Sequence, residues 1–129
     1  MQSVGRLADR YGLKIHVDGA RIFNAAAALQ RPARELAGVA DSVSFCLSKG
    51  LAAPVGSLVC SRADFISEAR RARKVLGGGM RQSGVLAAAG LVALNEMVDR
   101  LAEDHANAKD MAERLAQIPA LDVNPDQVR

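Results

Sequence analysis

The chain has 129 residues, half of them hydrophobic, and a mean hydropathy of +0.05, which gives length for one domain with a core and excludes a disordered chain. Its formal net charge is +3, but basic and acidic residues are interleaved, and the densest basic stretch, RADFISEARRARK, carries no aromatic stacking pattern, so no nucleic-acid partner is expected. No run reaches the about 18 apolar residues of a membrane span and MQSVGRLADR has no apolar signal core, so no membrane partner is expected and a cytoplasmic location follows by default.

Aromatic residues make up only 3% and Trp is absent, so Ala, Leu and Val carry the apolar content, which suits helices packed closely on a sheet. Val4, Leu7, Ala8 and Tyr11 recur at helical spacing, and Gly12 follows where a left-handed residue would stop the helix. LKIHVD then reads as a buried strand from Leu13 to Val17, with Asp18 just past its end. A second helix is predicted over Ala20 to Leu29, barred from continuing by Pro32. RPARELAGVA has room for one helical turn before a strand from Ser42 to Leu47.

Helix, strand, helix, strand in this order argues for a parallel sheet with crossover helices. SKGLAAPV, only eight residues, is too short for a helical crossover, so the next strand, Gly56 to Cys60, is predicted to return antiparallel. Lys49 then sits on the connecting loop. Cys46 and Cys60 fall within the two strands and read as small core residues in a reducing compartment. Helices are predicted over Asp64 to Leu76, with Phe65, Ile66, Ala69 and Ala72 apolar, over Met80 to Met97, which should be buried, and over Val98 to Ile118. Leu101, His105, Ala108, Met111, Ala112 and Leu115 make the last one amphipathic, with a bend near Asp99. The tail ALDVNPDQVR begins like a strand.

In an open α/β sheet, ligands bind beyond the carboxyl ends of parallel strands. Asp18 and Lys49 both fall there, on strands predicted to be neighbours, and so are candidates to face one crevice. Burial disfavours the charged form of a lysine, and a neutral amine can attack an aldehyde. A pyridoxal phosphate site needs such a lysine and a carboxylate at the pyridine nitrogen. Singly, each residue has a plainer reading, the lysine as a surface charge in a loop and the aspartate as a turn or cap residue. His16 alternates with Asp18 on one strand face and reads as a satisfied core histidine, His105 as structural. Ser48, adjacent to Lys49, and Ser44 offer hydroxyls near the same place. No Cys or His stands at metal-ligand spacing, so no metal is expected.

Three blocks, HVDGARIFNAAAAL (His16 to Leu29), SVSFCLSKGLAAPVGSLV (Ser42 to Val59) and LGGGMRQSGVLAAAG (Leu76 to Gly90), resemble those of low-specificity L-threonine aldolases. These belong to the aspartate-aminotransferase-like, fold-type I pyridoxal phosphate enzymes, and the blocks keep their order and spacing across nearly the whole chain. The resemblance implies an α/β fold: part of the three-layer α/β/α sandwich of the large domain, with a mostly parallel sheet, an antiparallel strand after the lysine loop, and long helices following. It implies pyridoxal 5'-phosphate as cofactor, Lys49 as the Schiff-base lysine, Asp18 as the partner of the pyridine nitrogen, Arg21 near the ring or substrate, and Ser48 beside them. Lys74 and Arg81, bracketing the glycine triplet, would approach an active site, that of a neighbouring subunit. The implied reaction is aldol cleavage of threonine or allo-threonine to glycine and acetaldehyde, in a homo-oligomer, dimer or tetramer. One departure is Ala52, where glycine is familiar; its methyl is expected only to tighten the turn.

Members of that family are longer. On the resemblance, residues 1–118 are the central and C-terminal part of the cofactor-binding domain, and 119–129 open a small domain. The phosphate-binding residues and the ring-stacking histidine would precede Met1, and an arginine for the substrate carboxylate would follow Arg129. A piece of a larger sheet should leave an apolar edge and helix faces uncovered. Two alternatives stand beside the aldolase reading. One is a non-catalytic fragment that keeps the fold core and a subunit interface; the other is a related pyridoxal phosphate lyase or transaminase, since Asp18 and Lys49 serve those reactions equally.

Overall fold

The computed structural model describes residues 1–128. Helix α1 (Gln2–Tyr11) stops where the sequence predicts: Gly12 takes φ 61°, and the N–H groups of Gly12 and Leu13 donate to Asp9 O and Ala8 O. A residue without Cβ enters this left-handed conformation at low cost. The apolar stripe of α1 is less buried than its spacing suggests. Gly5 and Ala8 are buried, while Val4, Leu7 and Tyr11 are exposed. The helix approaches its neighbours through small residues, Gly5 lying against Val39.

Strand β1 is His16–Asp18, shorter than predicted and including Asp18. The ladder starts late because the Ile15 N–H donates to Asp41 Oδ2 at 2.8 Å, while Lys14 Nζ donates to Asp41 Oδ1 at 3.0 Å. β1 runs parallel to β2 (Ser42–Cys46), in the register His16 to Ser42, Val17 to Val43 and Asp18 to Ser44. The crossover contains α2 (Ile22–Leu29) and α3 (Ala33–Leu36). α2 begins two residues later than predicted because Gly19 and Ala20 still bond to β2, Gly19 N–H to Ser44 O and Cys46 N–H to Ala20 O. It ends at Gln30, which has φ 51°.

Strand β3 (Ser57–Ser61) returns antiparallel to β2 as expected, giving the sheet order β1-β2-β3. Its outer edge is open, and Leu58, Val59 and Cys60 are exposed; Cys46 is half-buried. Cys60 is therefore not the core residue that its apolar setting suggests. α4 (Ala63–Val75) lies beside β3 with no buried residue, Phe65 included.

The expected buried helix from Met80 to Met97 is corrected in two respects. α5 covers Gly84–Val92 and continues as a π-helical stretch over Ala93–Met97. Val85, Leu91 and Val92 are exposed, and only Gly90 and Ala93 are buried. An apolar sequence sets a tendency to bury, but burial needs a facing element. α5 meets the core where Gly90 lies against Leu47, so close that a Cβ would stand 3.0 Å from Leu47 Cδ1. α6 (Leu101–Leu115) begins after a break at Val98–Arg100; Leu101 and Ala112 are buried and Met111 is exposed. The tail forms no strand among the described residues. Asn124 Oδ1 instead accepts the Asp126 N–H and starts a 3₁₀ turn, Pro125–Gln127. Arg129, the end of the segment expected to open a second domain, lies outside the described residues.

The core is Ile22, Phe45, Leu47, Leu51, Ala53, Ala93 and Leu101. Phe23 meets Phe45 edge to face, with centroids 5.2 Å apart and planes at 82°, a favoured aromatic geometry. The cluster lies under the carboxyl end of β2, where it holds the loop that carries Lys49. Among the described residues, no helix is long and apolar enough to cross a membrane.

Candidate active site

Lys49 is presented by a loop anchored on both sides. Leu47 is 6% exposed and Leu51 only 2%. These two side chains fix the chain before and after the lysine, so Ser48 and Lys49 are left pointing to solvent. The loop is closed by its own backbone: Leu47 N–H donates to Gly56 O, Ala53 N–H to Leu47 O, and Ala52 N–H to Lys49 O at 2.9 Å. Ala52 takes φ 57°. The methyl at this position thus does more than tighten the turn, because it holds an L-residue in a region where Cβ crowds the following carbonyl.

Asp18 is the last residue of β1, opposite Ser44 of β2. Its Oδ1 accepts the Ala20 N–H at 3.2 Å. This turn fixes the carboxylate and leaves Oδ2 without a protein partner among the described residues. Arg21 stands at the amino-terminal cap of α2 and is exposed, with no side-chain cap bond. A cation at the positive end of a helix works against the helix dipole, so local stability does not account for the choice of arginine.

Asp18, Arg21, Ser48 and Lys49 therefore stand at one end of the sheet, at or just beyond the carboxyl ends of the adjacent parallel strands β1 and β2. A cleft of about 470 Å³ there is lined by Asp18, Arg21, Ile22, Ala25 and Leu36 among others, but not by Lys49. Because Lys49 is exposed, the partly dry crevice expected around it is not formed by this chain. Another cleft, of about 490 Å³, lies by Lys14, Asp41 and Phe65 at the opposite end of the sheet, away from these residues.

Both ring nitrogens of His16 have partners, Nδ1 2.8 Å from Ser42 Oγ and Nε2 3.3 Å from Ser44 Oγ, but the residue is exposed and is not the core histidine that its apolar run suggests. Ser44 is thereby engaged away from Lys49. Lys74 and Arg81 are not brought to Lys49 within this chain. The Lys74 stem lies over Gly79, where a Cβ would be 2.6 Å from Lys74 Cδ, and Arg81 is exposed in the following loop. Among the described residues, no cluster of His, Cys, Asp and Glu is arranged to hold a metal.

Two features escape a reading of the sequence. Asp41 clamps the start of β1, and its carboxyl is held below the usual carboxylate range by the Ile15 N–H first and then by Lys14. Asn24 of α2 meets His105 of α6, Nδ2 to Nε2 at 3.4 Å. Both link residues far apart in the chain, and no local spacing announces them.

An amine and a carboxylate at the ends of neighbouring parallel strands are the arrangement of an α/β ligand site at the carboxyl edge of a sheet. The whole chain, residues 1–129, matches the model of the beta-eliminating lyase family, and the chain belongs to that family. It is 54% identical over 123 residues to low-specificity L-threonine aldolase 1 of Arabidopsis thaliana, a match covering 95% of this chain and 34% of the relative. It is 56% identical over 108 residues to the low specificity L-threonine aldolase of Escherichia coli strain K12, covering 84% of this chain and 32% of that one. A solved structure from Exiguobacterium sp. 255-15, assigned as an aromatic amino acid beta-eliminating lyase/threonine aldolase, superposes with TM-score 0.85 at 26% identity, over 92% of this chain and 33% of the other. The chain spans about a third of the length of the curated relatives it matches.

Proposed function

We propose that this chain carries the lysine and carboxylate of a pyridoxal phosphate site that cleaves threonine or allo-threonine to glycine and acetaldehyde. The observation that carries the reading is the placement of Asp18 at the last position of β1 and of Lys49 just beyond the parallel strand β2, with Lys49 held outward between buried Leu47 and Leu51. The similarity to threonine aldolases supports the substrate class over β-elimination or transamination.

The donor set fits part of this cofactor. Lys49 offers an amine for an aldehyde, the free Oδ2 of Asp18 an acceptor for a protonated ring nitrogen, and Arg21 a positive charge for an anionic group. When bound, pyridoxal phosphate supplies the ring that accepts the electron pair released as the Cα–Cβ bond breaks. Lys49 Nζ would hold the group through its aldehyde. Asp18 keeps a proton at the ring nitrogen, and the Ala20 N–H keeps the carboxylate turned for it.

Residues 1–118 are read as part of the cofactor-binding domain, with 119–129 leading into a following one. Val75, Leu76, Met80, Val85, Leu91 and Val92, all more than half exposed, support a working form in which further protein covers them, as in a homo-oligomer. Lys74 and Arg81 are read as facing the site of a neighbouring subunit there. The exposure of Lys49 favours a second reading for the isolated chain, a non-catalytic piece that keeps the fold. The two are separated by adding pyridoxal phosphate to the chain. A visible absorption band that is absent in Lys49→Ala, followed by acetaldehyde release from threonine, supports the enzyme; a band without turnover supports the second reading. No band in the native chain defeats the cofactor assignment for this chain.

A further inference from the structure

We propose that Asn24, held by His105, is the positioning residue of the Lys49 loop, an inference that rests on the reading of Lys49 as the cofactor lysine. Gly50 directly follows the lysine. A Cβ built there would lie 2.7 Å from Asn24 Oδ1, 3.0 Å from Asn24 Nδ2 and 2.9 Å from Leu101 Cδ2. The backbone after Lys49 therefore rests on the Asn24 amide with no side chain between them.

Asn24 is the one polar residue in α2, IFNAAAAL. Packing against α6 would be served as well by an apolar side chain, yet this amide is half-buried and aimed at His105 Nε2, 3.4 Å away. With the amide nitrogen as the donor, Nε2 is the acceptor. Leu101, the residue of α6 that joins Asn24 under Gly50, is fully buried at 0% exposure, so the seat has no slack on that side.

The same helix grows out of the turn that carries Asp18 and Arg21. Asp18, at the end of β1, is tied by the Ala20 N–H to the turn that opens into α2, and α2 supports the lysine loop through Asn24 in its first turn. Moving the amide changes the height of Lys49 relative to Asp18. That separation matters to a ligand that must meet both groups at once, and not to one that meets the lysine alone.

The test compares two aldehydes on the full chain. Pyridoxal phosphate has a ring nitrogen for Asp18; benzaldehyde has none. Each condenses with the Lys49 amine with loss of water, and borohydride then delivers hydride to the carbon of the C=N bond while the nitrogen takes a proton, leaving a stable secondary amine. Mass spectrometry of the Lys49 peptide gives the ratio of the two products. We expect Asn24→Ala to lower the pyridoxal phosphate to benzaldehyde ratio about tenfold, as a misplaced reacting group does. His105→Leu should do the same, and His105→Gln, whose amide oxygen still accepts the Asn24 N–H, should keep the native ratio.

A merely structural role would lower thermal stability without moving this ratio in the folded protein. If Asn24→Ala does not fold, the pair of His105 variants decides. The native ratio in folded His105→Leu or Asn24→Ala overturns the inference and leaves the Lys49 reading standing. A native chain that does not prefer pyridoxal phosphate at Lys49 removes both.

Discussion

Replacing Ala52 with glycine should make the chain more stable, although it removes atoms and adds no contact. Ala52 sits at φ 57° in the turn closed by its own N–H to Lys49 O. An L-residue in that region is disfavoured by about 1–2 kcal/mol because Cβ crowds the following carbonyl. The turn is not free to relax, since Leu51 and Ala53 on either side are 2% and 8% exposed and rotation would pull one of them from the core. Against this gain stands the greater freedom of glycine in the unfolded chain, about 0.4–1 kcal/mol. The Ala52 methyl is exposed, so little burial is lost. The net expectation is a stabilisation of about 0.5–1 kcal/mol, read as a higher urea midpoint with an unchanged slope. Gln30, at φ 51° where α2 ends, offers an internal comparison: Gln30→Gly should gain a similar amount. A lower midpoint in Ala52→Gly, with Gln30→Gly stabilising, would show that the methyl is packed rather than strained and would sink the argument.

Leu101→Ala removes the most deeply buried side chain and should cost about 2–5 kcal/mol by urea unfolding; a cost below about 1 kcal/mol would mean that the site collapses around the gap. The Asp41 carboxyl, whose pKa is lowered in the folded chain, stabilises the fold above its ordinary unfolded value, and that contribution is lost as pH falls through the lower folded value. The stability gap between the native chain and Asp41→Asn should therefore be full near neutral pH and shrink below about pH 4. A gap that is constant on acidification would contradict the clamp.

The positions of Asp18 and Lys49 were legible because they depend on strand ends, and strand ends on local pattern. LKIHVD and SVSFCL announce strands, and eight residues between Leu47 and Gly56 leave only an antiparallel return. Gly12 announced the end of α1 in the same way. The resemblance of three blocks added roles that no pattern of burial supplies. What the sequence hid falls into two kinds. Contacts such as Asn24 with His105, 81 residues apart, depend on how helices dock, which no short window encodes. Exposure of α5 and of Phe65 in α4 runs against their apolar character, because burial is a property of a surface and its partner together. The left-handed Ala52 was invisible for another reason: alanine is a residue that turn rules place elsewhere, and the closure of the loop overrides its preference.

The wiring of β2 carries a consequence for the order in which the chain assembles. β2 reaches β3 across the short Lys49 turn, whereas it reaches β1 across two helices, and the seat beneath Gly50 waits for Leu101, fifty-one positions after it in sequence. Local closures are fast and distant ones slow. The lysine hairpin is expected to form early and loosely, and to be clamped last, when α6 arrives from the trailing end of the chain. Pulsed hydrogen exchange during refolding would read this order: protection of the Leu58 and Cys60 amides, which face β2, ahead of those of Ala52 and Ala53 in the lysine loop agrees with it, and the reverse order contradicts it. A growing chain would thus frame its candidate catalytic amine without fastening the loop beneath it until synthesis has passed Leu101.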